Sequence, residues 1–148
     1  MSSIGKVTDM LYRGPRPSAF DYDRLLTLEI KSVINLEDNQ EAIVADRLRA
    51  LQRGIVWYSK PWSEIKRPHP SDIRVIVNLI EFENRSGNKV FIHCKHGQDR
   101  TGYAVAGYRM LMQGWTFERA YKEARDMGHK WWFAPYLLFW PKSLKDLR

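Results

Sequence analysis

The segment Lys89-Val90-Phe91-Ile92 is a short β-branched and aromatic run that reads as a buried strand. Tyr103 to Gln113, rich in Ala, Met, Leu and Tyr, reads as a helix. Between them lies His93-Cys94-Lys95-His96-Gly97-Gln98-Asp99-Arg100-Thr101-Gly102, which holds the chain's one cysteine. A strand, a tight loop and a helix start in that order aim backbone N–H groups and the positive end of a helix dipole at one point. An anion belongs there. Such a junction arises at the carboxyl ends of parallel strands, where α/β sheets bind their ligands.

The rest of the chain alternates in the same way. Val7 to Tyr12 reads as a strand that ends at the turn-rich Arg13-Gly14-Pro15-Arg16-Pro17-Ser18, and Ser18 is an N-cap for a helix through Leu28. Lys31 to Leu36 is a second strand, Asn39 to Gln52 a helix with Gly54 just past its end, and Ile55 to Tyr58 a third strand. A polar, proline-bearing loop runs from Ser59 to Pro70. The next helix starts near Ser71 or Asp72 and lines up Ile73, Ile76, Val77 and Ile80 on one face. Ser86-Gly87-Asn88 turns into the cysteine strand. Two further helices are expected, Thr116 to Met127 and one from about Pro135. Repeated β-α units predict an α/β fold, a mostly parallel central sheet flanked by helices. A length of 148 residues suits one domain spanning 1–148.

Residue types give the loop its chemistry. A free thiol, with a pKa near ~8.5, is only a few per cent thiolate at neutral pH; a helix N-terminus, converging amides and a nearby cation favour the thiolate. Arg100 offers a planar fork for two phosphoryl oxygens, which a lysine cannot match. Thr101 can donate its hydroxyl to the sulfur, His93 can orient the loop through its ring nitrogens, and Gly97 permits a positive φ. A buried structural cysteine beside a loop arginine would account for Cys94 and for none of the other positions.

His-Cys-x5-Arg-Thr-Gly, residues 93–102, resembles the signature of the cysteine-dependent protein tyrosine and dual-specificity phosphatases. The resemblance implies a tyrosine/dual-specificity phosphatase-like fold and a two-step reaction through a phosphocysteine, with no metal and no cofactor. It extends to Leu11-Tyr12-Arg13-Gly14-Pro15-Arg16-Pro17-Ser18 and Ile30-Lys31-Ser32-Val33-Ile34-Asn35-Leu36, which look like the opening of small bacterial and fungal members. Arg13 and Arg16 are read as holding turns. In those relatives arginine often follows Asn-Leu; here Glu37 does.

A general acid must protonate the leaving oxygen. The family usually places an aspartate on a loop about thirty residues before the cysteine, and that position holds Glu64. Ser63-Glu64-Ile65-Lys66-Arg67-Pro68 is similar to the Asp-His-x-x-Pro loop of phosphatase-type phytases. Asp99 is the second candidate, since myotubularin-like and Sac-like phosphatases share Cys-x4-Asp-Arg-Thr; otherwise it orients Arg100 or binds loop amides. Asp72 is better explained as a helix cap. Glu64 and Asp99 weigh about equally.

Lys95, His96, Gly97, Gln98 and Arg67 are the expected substrate-binding residues, and several cations around one phosphate site suit a ligand with several phosphates. The bacterial phytase-like resemblance puts inositol polyphosphates first, phytate above all. A dual-specificity or tyrosine protein phosphatase is the alternative, and a phospho-ligand-binding pseudophosphatase the one outside enzymes. A net charge of +7 favours an anionic partner. Loops with Cys-x-His-Gly-x-x-Arg-Thr-Gly also resemble RNA 5′-triphosphatases, but no aromatic-interleaved basic patch tracks a nucleic acid. No run is long enough to span a membrane, and a single reduced cysteine without a leader-like apolar core at Met1 to Lys6 favours the cytoplasm; secretion or a periplasmic home requires a leader. The cluster around His129, Lys130, Trp131, Trp132, Phe133, Tyr136, Phe139 and Trp140 is expected to seal helices against the core rather than face a substrate.

Overall fold

The computed structural model describes residues 4–130, 132–133 and 139–147. Its strands are β1 (Gly5–Thr8), β2 (Leu11–Gly14), β3 (Ile30–Asn35), β4 (Val56–Ser59) and β5 (Lys89–His93). They form one sheet in the order β1-β2-β5-β3-β4. The β1–β2 pair is antiparallel and every other pair is parallel, as the β-α alternation predicts.

The expected strand from Val7 to Tyr12 is instead two strands. Asp9 and Met10 turn the chain, with the Met10 N–H donating to Thr8 Oγ1 at 3.1 Å. A threonine side chain closes this turn where glycine or proline would have announced it.

The helices are α1 (Ala19–Thr27), α2 (Gln40–Gln52), α3 (Pro70–Arg85), α4 (Arg100–Gln113), α5 (Phe117–Asp126) and α6 (Trp140–Lys145). Ser18 caps α1, with its hydroxyl accepting from Asp21 N–H, and Asn39 caps α2. α3 begins at Pro70, slightly earlier than expected, because proline is preset for the first helical position and Asp72 accepts from the His69 N–H. The last helix is seen from Trp140; the expected start near Pro135 lies outside the described residues.

Side chains on alternate faces of β3 and β5 divide the core in two. Phe91 and Val33 face Tyr22 and Leu25 of α1 and Ala50 of α2. Val90, Ile92 and Ile34 face Ile73, Ile76, Val77 and Ile80 of α3, Tyr103 and Ala106 of α4, and Trp140 and Leu144 of α6. Strand β5 is buried on both faces and lies mid-sheet, so the loop that follows it emerges between two helical layers. Gly14, His93, Asn35 and Ser59 stand in register at the carboxyl edge. Cys94 and Arg100 follow directly beyond that edge.

Candidate active site

Cys94 directly follows β5 and is 2% exposed, yet it forms the floor of a cleft of about 500 Å³. Arg100, the first residue of α4, shares that floor. Helix α4 starts three residues before Tyr103, so its N-terminal N–H groups, which lack intrahelical acceptors, belong to the loop itself.

The loop's shape is enforced by β2. Gly97 has φ +72°, and a Cβ there would lie 2.4 Å from the Gly14 carbonyl carbon. Glycine is required twice over, by its backbone conformation and by contact with a neighbouring strand end. Arg13 Nη2 donates to the Gly97 carbonyl at 2.9 Å, and the Arg16 N–H to the Lys95 carbonyl at 3.2 Å. Burial of Arg13 opposes its charge and pulls its pKa down. The two arginines hold chain, as expected; Arg16 also forks onto Glu37, with Nε 3.0 Å from Oε1. That pairing accounts for an acid at this position: Glu37 is buried and its charge is met by Arg16.

His93 is buried, with Nε2 2.8 Å from Asp46 Oδ2 and Nδ1 3.3 Å from the Cys94 carbonyl oxygen. Thr101 Oγ1 is buried and has no hydrogen-bond partner among the described residues. A buried hydroxyl left in that state has a donor to give to whatever sits beside it.

Arg100 is held by two half-exposed carboxylates. Its Nη1 donates to Asp38 Oδ1 and to the Trp62 carbonyl, and its Nη2 to Glu64 Oε1, each at 3.1 Å. Glu64 therefore reaches the cleft from its loop, whose neighbouring Ile65 carbonyl accepts from Trp140 Nε1 of α6 at 2.9 Å. Asp38 was not foreseen. Its position just past β3, at the carboxyl edge, was the available signal.

Asp99 lies at the wall of the cleft but its carboxylate is committed. His129 Nδ1 and the Lys130 N–H contact Oδ1 at 2.9 and 2.8 Å, and Lys130 Nζ contacts Oδ2 at 3.3 Å. Burial pushes Asp99 up, but the His129 and Lys130 hydrogen bonds and the Lys130 charge outweigh it and hold the group below its ordinary value. A carboxyl held ionised is a poor proton donor. Its contacts pin the segment that brings Lys130 to the cleft.

The remaining expected residues divide. Lys95 and His96 line the cleft. Gln98 does not; its side chain packs on Gly128, where a Cβ would meet it at 2.7 Å. Arg67 also lies elsewhere, donating to Ser143 Oγ at 3.3 Å and lining a groove with Lys66, His69 and Phe139. The aromatic cluster splits as well. Trp140 is fully buried, whereas Trp132 (65% exposed) and Phe133 (40%) stand at the cleft mouth with Ile65. Trp131 and Tyr136 lie outside the described residues. Lys130, grouped by sequence with the sealing cluster, instead lines the cleft, because its partner Asp99 is thirty-one residues away.

Asp46 was missed too. It occupies the buried face of α2 with Ile43 and Ala50, a carboxylate where the helical period calls for an apolar residue. Burial pushes Asp46 up, but hydrogen bonds from His93, Tyr22 and Trp57 together with the His93 charge hold it below its ordinary value. Groups whose folded pKa is depressed stabilise the fold above the unfolded value, near ~4, and that stability is lost as pH falls through the folded value. Thermal unfolding followed from pH 6 down to pH 2 should therefore show a loss beginning near ~pH 4, shallower in Asp99→Asn.

Comparison with known proteins identifies the family. The pattern of the family "Dual specificity phosphatase, catalytic domain" matches residues 11–134. The chain is 28% identical over 127 residues to the dual specificity protein phosphatase TpbA of Pseudomonas aeruginosa, covering 85% of this chain and 55% of that protein. It is 30% identical over 141 residues to the inositol diphosphatase DSP3 of Arabidopsis thaliana, covering 88% of this chain and 64% of that protein. The chain thus spans less than two thirds of the length of these curated relatives. The crystal structure of P. aeruginosa TpbA has the same fold, with a TM-score of 0.81 at 24% identity over 98% of this chain and 87% of that one. The chain belongs to the family of dual specificity phosphatase catalytic domains.

Proposed function

We propose that this protein hydrolyses phosphomonoesters through Cys94, with an inositol polyphosphate as its favoured substrate. The observation that carries the reading is the convergence of one thiol, one guanidinium and the N-terminus of α4 on the floor of a single cleft. The Cys94 thiolate attacks phosphorus, the bond from phosphorus to the ester oxygen breaks, and a proton reaches that oxygen as the alcohol leaves. Water then attacks the phosphocysteine, the S–P bond breaks, and inorganic phosphate departs. Arg100 grips two phosphoryl oxygens through both steps, and the spare Thr101 hydroxyl donates to the sulfur as it leaves.

Glu64 is the proton donor in this scheme. An arriving phosphate competes with Glu64 and Asp38 for Arg100 and sets Glu64 free at the leaving-group side.

Substrate class is supported by Lys95, His96 and Lys130 around one opening, and by relatives named inositol diphosphatases. Trp132, Phe133 and Ile65 at the mouth favour a second reading, phosphotyrosine, whose ring an aromatic rim would flank. Phosphate release from inositol hexakisphosphate, a diphosphorylated inositol and a phosphotyrosine peptide, measured side by side, tests the choice. Highest kcat/KM on the peptide would overturn the inositol reading. Lys95 is exposed, and Lys95→Ala should raise KM for inositol hexakisphosphate about tenfold, the worth of one charge-assisted hydrogen bond, with a smaller change for the peptide.

A further inference from the structure

Beneath the cleft, four elements send donors to one buried carboxylate. Tyr22 of α1 donates its hydroxyl to Asp46 Oδ1 at 2.6 Å. Asn35 Nδ2 of β3 and Trp57 Nε1 of β4 reach Oδ2 at 2.8 and 2.9 Å, and His93 Nε2 of β5 reaches the same oxygen at 2.8 Å. Asp46 itself is 0% exposed.

Hydrogen-bond accounting fixes the protons. The Glu37 N–H donates to Asn35 Oδ1 at 2.7 Å, so the amide nitrogen of Asn35 is the atom turned to Asp46. An indole nitrogen can only donate. Asp46 is therefore an ionised acceptor, and His93 Nε2 must carry a hydrogen. His93 Nδ1 faces oxygen acceptors as well, the Cys94 carbonyl at 3.3 Å and Glu37 Oε2 at 3.9 Å. The ring satisfies both sides when both nitrogens are protonated. Phe91 stacks on the ring at 5.6 Å between centroids.

We propose that Asp46 is a positioning residue for the nucleophile: its carboxylate holds His93 protonated and in place, and His93 presents that positive charge to the adjoining Cys94. The nearby charged and titratable groups are Tyr22 of α1, Glu37 after β3, Arg16 paired with Glu37, and Arg49 and Arg53 near Tyr22. None of these supplies a second carboxylate within hydrogen-bond distance of His93 Nε2.

This inference rests on the reading of Cys94 as a phosphatase nucleophile, but its test does not need turnover. Because the chain has one cysteine, the rate of iodoacetamide alkylation against pH reports Cys94 alone. In Asp46→Asn the profile should move about one pH unit upward, roughly tenfold slower alkylation on the acid limb, since an opposite charge near an ionisable group is worth ~1–3 units. Tyr22→Phe keeps the charge and removes one donor. It should lower thermal stability and leave the profile in place. A profile unmoved in Asp46→Asn, or moved equally in Tyr22→Phe, overturns the proposal. Should Asp46→Asn fail to fold, 15N NMR of the unaltered protein decides, with the His93 signal assigned by its loss in His93→Gln. Protons on both ring nitrogens at pH 7 support the proposal, and an unprotonated Nε2 or Nδ1 overturns it. A shifted profile in a protein that releases no phosphate from any ester would sink the enzymatic reading and leave this one standing.

Discussion

Cys94→Ser should abolish phosphate release from every ester, a loss on the order of 10⁴–10⁶-fold, the scale on which covalent catalysis fails without its nucleophile. The thiol lies at the bottom of the cleft beside Arg100, and no other cysteine exists to substitute for it. A serine hydroxyl is hardly ionised at neutral pH, and the α4 N-terminus cannot close that gap. The variant should nonetheless keep its ligand, because Arg100, Lys95 and the loop amides are untouched. Inorganic phosphate or inositol hexakisphosphate should still raise its melting temperature, as any ligand selective for the native state does. Retained turnover would remove the covalent scheme.

The second large effect separates two carboxylates. Glu64→Gln should slow turnover about 10²–10⁴-fold, the usual contribution of a placed general acid. The loss should be greatest for esters of poorly acidic alcohols and small for p-nitrophenyl phosphate, whose leaving group needs no proton. Asp99→Asn should instead act through structure: it loosens His129 and Lys130, lowers stability and raises KM. Asp99 is occupied by donors that hold it ionised, while Glu64 is 57% exposed and bonded to the very arginine that substrate must take. If Asp99→Asn shows the leaving-group dependence and Glu64→Gln does not, the roles are reversed.

What could be read from the sequence was local. A strand, a glycine-bearing loop and a helix start occur within thirteen residues, so the Cys94–Arg100 cradle and the β-α order are written in adjacent positions. The helix caps at Ser18 and Asn39 are local signals of the same kind. What escaped depended on distant partners. Asp46 meets His93 across 47 positions and Asp38 meets Arg100 across 62, and neither pairing leaves a periodic trace. Arg67 shares the loop of Glu64, but its side chain turns to Ser143 of α6. Trp132 and Trp140 are alike in type and opposite in burial: Trp132 stands in a turn and Trp140 opens α6, a difference that residue type does not carry.

Trp140 reaches from α6 to the carbonyl of Ile65, the residue beside Glu64. That bond ties the backbone beside Glu64 to a helix that helps to close the core, so where the acid sits in the cleft answers to the packing of α6 as well as to Arg100.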